Sequence, residues 1–473
     1  MDEVCINGID GASGDYLLSP IRVDNLTKAV RGERFEAAHL AELKWRHHQA
    51  TTAHFGVKEG IDPRNLAEAG WGVIFASDAD PAIRKALEPL LDHRKKEVSR
   101  NNPSYYKEFV GLDGYRPGES KQQFLARHKV GPGPADPDKI PYYLLIVGDP
   151  QTIPFRFQYQ LDVQYAVGRL HFDTIDGYSE YARSIVELEQ GGSRREQSAV
   201  FFGVKNPGDR ATKLSTEELV KPLATSLGKS HPSWGIRTYT EEQAHKSDLA
   251  QLFLAGKTPS LLFTASHGMG FPNGDPRQLP HQGALLCQDW PGPLVHRGAI
   301  PETYYFSADD VPDSADVAGL ISFHFACYGA GTPQLDDFAH QTLGQPRAIA
   351  PKAFLSHLPQ RLLSHPSGGA LAVVGHVERA WGCSFVWPGA GRQVTVFEDV
   401  FARLMSGHPV GSALEPLNQR YAELSSDLSA ELEEISFGKI TDNLALAGMW
   451  TANNDARSYI ILGDPAVRLC SIA

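Results

Sequence analysis

From residue 70 onward the chain carries short, unbroken apolar runs, each closed by glycine or a polar residue. They are GWGVIFAS (70–77), YYLLIVGD (142–149), SAVFFGV (198–204), SLLFTASHG (260–268), VAGLISFHFAC (317–327) and GALAVVGH (369–376). Strict alternation would mark strands with one wet face; continuous runs of this length mark strands buried on both faces, as in a mostly parallel sheet covered by helices. Helical spacing lies between them. Asp80 reads as an N-cap and Pro81 as the first residue of a helix whose Ile83, Leu87, Leu90 and Leu91 share a face, with a kink expected at Pro89. Ser215 and Glu218 have capping-box spacing ahead of another helix, and Phe397, Val400, Phe401 and Leu404 form a stripe that stops near Gly407. The pattern predicts an α/β fold.

Two loops interrupt it, VGPGPADPDKIP (130–141) and EQGGSRREQ (189–197). The second is read as a boundary between an N-terminal α/β subdomain (55–192) and a C-terminal one (193–473), while residues 1–54 read as a partly helical lead-in. At 473 residues, core area does not limit stability. Lys+Arg 45 against Asp+Glu 56 leaves −11, which argues against a nucleic-acid-coating surface or a polybasic membrane anchor. No apolar run approaches the roughly 18 to 20 residues needed to span a bilayer, and MDEVCINGIDGASGD lacks the regions of a signal peptide, so a cytoplasmic location is expected. Enzymes and scaffolds both pass these tests.

Several motifs fail. AGKTPS (255–260) contains the GKT of a phosphate loop, but Gln251 stands where its first glycine belongs, and the segment precedes a strand. GASGD (11–15) lacks a flanking glycine of a nucleophile elbow. The 5 cysteines are scattered and never in a CxxC pair, and the 18 histidines lack metal spacing. Asp309, Asp310, Asp313 and Asp316 crowd one loop, read as solvated, with a structural calcium as the minority reading. No other cofactor is expected.

Two buried runs end in chemistry. SLLFTAS leads into His267-Gly268, and ISFHFA leads into Cys327. Strand carboxyl ends form the ligand crevice of open parallel sheets, so neighbouring strands ending this way bring an imidazole to a thiol. The imidazole can take the thiol proton and return it to a leaving amine, while backbone N–H groups of Gly268 and Cys327 hold an oxyanion. His324 lies on the strand face opposite Cys327 and reads as a core histidine.

The blocks YLLIVGDPQTIP (143–154), AVGRL (166–170), TASHG (264–268), FACYG (325–329), GALAVVGHVERAW (369–381) and IILGDPAVRL (460–469) resemble, in order and spacing, the gingipain-like cysteine peptidases, relatives of caspases and clostripain. The resemblance implies a caspase-hemoglobinase fold and a bacterial cysteine endopeptidase acting on protein or peptide, with His267 as base, Cys327 as nucleophile and Gly268 in the oxyanion hole. It suggests regulation by an activating protein in a defence or cell-death-type system. Lys205 stands where the family orients its histidine with an acid, so that role is empty or falls to another residue such as Asp209. Asp209 and Arg210 occupy the loop that selects the P1 side chain, Glu378 adds negative charge across the site, and Trp381 matches a family tryptophan walling the S1 pocket. An acid in that loop selects Arg or Lys at P1 and an arginine selects Asp, so Asp209 and Arg210 argue in opposite directions; Glu378, which would repel a P1 carboxylate, tips the expectation toward a basic P1 residue with Asp as the alternative. A catalytically silent scaffold is the competing expectation, and a form held inactive by the insertion at 270–316 is a third.

Overall fold

A computed structural model describes residues 3–4, 8–16, 21–22, 56–191, 195–336, 347–387, 390–436, 443–469 and 471–472. The strands of its two larger sheets, in chain order, are β1 (Gly8–Asp10), β2 (Trp71–Phe75), β3 (Tyr106–Phe109), β4 (Tyr143–Val147), β5 (Ala166–Leu170), β6 (Ser198–Gly203) and β7 (Gly235–Thr240). There follow β8 (Leu261–Ala265), β9 (Gly268–Gly270), β10 (Leu285–Leu286), β11 (Tyr305–Phe306), β12 (Ile321–Phe325), β13 (Ala372–His376) and β14 (Tyr459–Gly463). Each of the six apolar runs is a strand, and β2, β4, β8, β12 and β13 are buried along their whole length.

Ten strands make one mostly parallel sheet in the order β7-β6-β8-β12-β13-β14-β5-β4-β2-β3, flanked by helices. β14 pairs antiparallel with β13 and lies between it and β5, so the sheet continues without interruption from one proposed subdomain into the other. The residues after β14 tie the ends together. Asp464 accepts from the Trp71 indole at 2.9 Å and from Arg94 at 2.6 Å, and Arg94 also holds Glu189. Burial alone would raise the Glu189 carboxyl, but Arg94 and His93 bring it down to about 2.

The helices follow their sequence signals with one exception. α1 (Pro81–Ala86), capped by Asp80, breaks from α2 (Glu88–Val98) beside Pro89, and α3 (Ile175–Glu189) contributes Glu189. α4 (Arg210–Ser215) begins at Asp209, whose carboxylate accepts from the Ala211 and Thr212 N–H groups. Ser215 is therefore the last residue of a helix already under way, and not the N-cap its spacing suggested. α5 (Thr395–Met405) lays Phe397 and Phe401 against Phe263 and Phe323 of the sheet, with ring centroids 5.3 to 6.5 Å apart.

The insertion between β8 and β12 is not a loose loop. It folds into a small sheet, β11-β10-β9-β1, over a cluster that includes Met269, Phe271, Leu286 and Trp290. β1 comes from the supposed lead-in and pairs parallel with β9, Gly8 opposite Gly268. Much of residues 1–54 otherwise lies outside the described residues. Among the described residues, no helix is long and apolar enough to cross a membrane.

Candidate active site

The site begins with strand register. β8 and β12 are parallel neighbours with Ala265 opposite Phe325, and Ser266 N–H donates to the Phe325 carbonyl at 3.3 Å. His267 and Cys327, two residues beyond, thus leave adjacent strands together. Glycines set how closely the backbones approach. A Cβ on Gly268 would lie 1.7 Å from the Cys327 carbonyl oxygen, one on Gly283 would lie 2.1 Å from that of Tyr328, and one on Gly375 would lie 2.9 Å from the Ala330 nitrogen. The turn after Cys327 is clamped by backbone from three directions, and Tyr328 within it takes a φ of 58°, a left-handed conformation uncommon for a ring-bearing residue. Its N–H donates to the Glu378 carbonyl at 2.5 Å.

His267 Nε2 donates to Asp209 Oδ2 at 2.7 Å, with both side chains fully buried. The Thr212 hydroxyl donates to the same oxygen at 2.5 Å, and the Tyr16 hydroxyl donates to Oδ1. Burial would push the Asp209 carboxyl up, but His267 and these hydroxyls hold it well below the usual carboxylate range. The pairing leaves the proton on Nε2, and among the described residues nothing donates a hydrogen bond to the Nδ1 lone pair. Of the two roles the sequence leaves open for Asp209, P1 selection and orientation of the histidine, the carboxylate takes up the second position: helix N-cap geometry turns it inward onto His267. Lys205, four residues earlier, pairs with Glu217 at 2.8 Å and Glu241 at 3.2 Å, away from the histidine.

Cys327 is fully buried, and burial pushes its thiol up to about 12. Its Sγ accepts from the Ala380 N–H at 3.2 Å. Cys327 and His267 follow neighbouring parallel strands, and among the described residues His267 Nδ1 has no hydrogen-bond partner, so no hydrogen bond joins thiol and imidazole there.

The remaining sequence candidates are dispersed. Arg210 is exposed on the first turn of α4. Glu378 is tied to Arg379 at 2.5 Å, and Arg379 grips Asp336 through two 2.8 Å bonds, so Glu378 is not a spare negative charge across the site. Trp381 is buried, with its N–H on Asp455 at 2.8 Å, and Asp455 also accepts from Ser384. His324 is a buried core residue, bonded to Ser322 at 2.9 Å and brought down to about 4 by burial. Asp309 faces His281, and Asp310, Asp313 and Asp316 pair with Lys246, Arg361 and Arg195 respectively. Tyr16, Thr212, Asp336 and Asp455 carried no signal read from the sequence, although D-x-x-T ahead of a helical run is a capping pattern that marks Asp209 and Thr212.

No protein-family model and no curated protein matches the chain. Among solved structures it is similar to the Arg-specific cysteine proteinase gingipain R, at 12% identity and a TM-score of 0.47 over 88% of this chain and 80% of that one. A structure described only as a protease gives 12% identity and 0.47 over 87% and 80%. A complex of Porphyromonas gingivalis RgpB pro- and mature domains gives 12% and 0.41 over 85% and 80%. Superposition at this level is loose, and the site stands on its own geometry.

Proposed function

We propose that this chain is a cysteine endopeptidase of the caspase-hemoglobinase type, with Cys327 as nucleophile and His267 as base. The observation that supports it most is the buried Asp209–His267 pair beside the strand that ends in Cys327. Burying an ionised carboxylate costs several kcal/mol unless it is paired, and holding an imidazole in one tautomer with a free Nδ1 is what a thiol-activating base requires. Nδ1 takes the Cys327 proton and the thiolate attacks the scissile carbonyl. Backbone N–H groups of Gly268 and Cys327 take the oxyanion, and the imidazolium then protonates the departing amine. Water hydrolyses the resulting thioester with His267 again as base. Asp209 balances the imidazolium charge in both steps.

With Asp209 and Glu378 both engaged in ion pairs, the charge argument for a basic P1 side chain loses its two carboxylates. Comparing substrates that differ only in Arg, Lys or Asp at P1 decides the preference.

A second reading concerns state and not chemistry. A fully buried thiol near 12 that is bonded to Ala380 is a resting arrangement, which favours a latent form opened by a partner or by cleavage within 270–316. Incubation with a mixed peptide library, before and after limited proteolysis, tests both readings. Cleavage lost in Cys327→Ala, and raised by nicking the insertion, is expected. Cleavage unchanged in Cys327→Ala would overturn this mechanism, and no cleavage before or after nicking would leave the catalytically silent scaffold as the better account.

A further inference from the structure

The segment 8–16 reaches the site from the far end of the chain and is fastened there. Gly11 N–H donates to the Gly270 carbonyl at 2.6 Å, its carbonyl accepts from Ile300 at 2.9 Å, and Asp10 Oδ1 caps the turn through Ala12 N–H at 2.7 Å. Gly14, at φ 75°, is held where a Cβ would meet the Gly298 carbonyl oxygen at 2.4 Å. This turn brings Tyr16 back beside β1, bridged to Ile9. The Tyr16 ring then stands edge-on to His267, with centroids 5.6 Å apart, and its hydroxyl donates to Asp209.

We infer that Tyr16 is a positioning residue of the Asp209–His267 pair, which makes the N-terminal segment a working part of the site. The inference rests on the reading of His267 as the base. Four other groups engage the Asp209 carboxylate. The N–H and hydroxyl of Thr212 and the imidazole bind Oδ2, whereas among the described residues Oδ1 has, besides Tyr16, the Ala211 N–H at a long 3.3 Å. Donors on one oxygen alone leave the carboxylate plane free to rock about its Cβ–Cγ bond. A strong donor on the other oxygen fixes the plane, and with it the direction in which Oδ2 meets Nε2. Trp290 also meets the imidazole in a T-shaped contact, at a centroid distance of 6.1 Å, so two aromatic rings pack on His267.

Tyr16→Phe keeps the ring contact and removes only the hydroxyl. In uniformly ¹⁵N-histidine-labelled protein, the hydrogen-bonded Nε2–H proton of His267, identified by its loss in His267→Gln, is expected to shift upfield and broaden in Tyr16→Phe. Peptide cleavage is expected to lose about tenfold in kcat with KM unchanged. Adding Tyr16→Phe to Asp209→Asn should change neither readout further. In the unsubstituted protein, the ¹³Cζ resonance of Tyr16 should move when Asp209→Asn is introduced, which tests the contact even if Tyr16→Phe does not fold. An unchanged Nε2–H signal, a Tyr16 resonance indifferent to Asp209→Asn, or an equal effect of Tyr16→Phe in both backgrounds would overturn the inference. Absence of any Cys327-dependent cleavage would sink the peptidase reading alone, since the resonances report the Tyr16 contact without turnover.

Discussion

The carboxyl ends of β8 and β12 and those of β4 and β5 belong to one sheet and end in opposite ways. At the first pair, His267 and Cys327 are fully buried, clamped by glycine backbone, with one imidazole nitrogen left unbonded. At the second, Asp149 and His171 line a groove of about 470 Å³ together with Asp173, Lys352 and His357. Asp149 there spends its carboxylate on its own turn, accepting from the Gln151 and Thr152 N–H groups and the Thr152 hydroxyl. One region has fully buried groups, the other an open groove whose aspartate is satisfied by its own turn. Chemistry follows the unspent lone pair, and volume alone is a poor guide to it.

The largest effect that would break this contrast concerns the thiol. While the resting arrangement persists, alkylation of Cys327 by iodoacetamide should rise about tenfold per pH unit from neutrality toward 12, because only thiolate reacts and burial holds the thiol at about 12. A plateau near neutral pH would mean that the sulfur already shares its proton with His267. Asp209→Asn should then cost about 10²–10⁴-fold in kcat/KM with far-UV circular dichroism unchanged, as expected when the base loses its tautomer and counter-charge. A loss under tenfold would remove His267 from the chemistry.

Gly268→Ala should cost about 10²-fold in turnover, since the added methyl must displace the Cys327 backbone. Gly131→Ala, with nothing within 4 Å, is the matched control and should be silent. The smallest effect expected is in the groove. His171→Ala and His357→Ala should each change peptide cleavage by less than about twofold, within the range of substitutions that touch no reacting group. A larger loss would show that the groove contributes to substrate binding and that the two regions work together.

The sheet and the His267 and Cys327 strand ends were legible because continuous apolar runs are the direct imprint of burial on both faces. The small sheet was not, since β9, β10 and β11 have three, two and two residues, too few for any period to register. Asp209 is legible in the sequence as a candidate, but its role there stays divided between P1 selection and orienting the histidine. Beside Arg210 it reads as half of a charged turn, and only the helix start at residue 210 sends the two side chains to opposite environments. Tyr16 left no trace, because its bond to Asp209 spans 193 residues and nothing local distinguishes it.

β14 has a consequence in time. It is the inner neighbour of β13, yet it is made about 80 residues after it, which at ~5–20 residues per second takes a ribosome roughly 4 to 16 s. Throughout that interval β13, whose other edge pairs with the nucleophile strand, has an open inner edge, and Asp464 has not arrived to meet Trp71 and Arg94. The order of synthesis therefore places a delay between the making of Cys327 and the closing of the sheet that supports it, so a nascent chain carries this thiol well before the framework around it is complete.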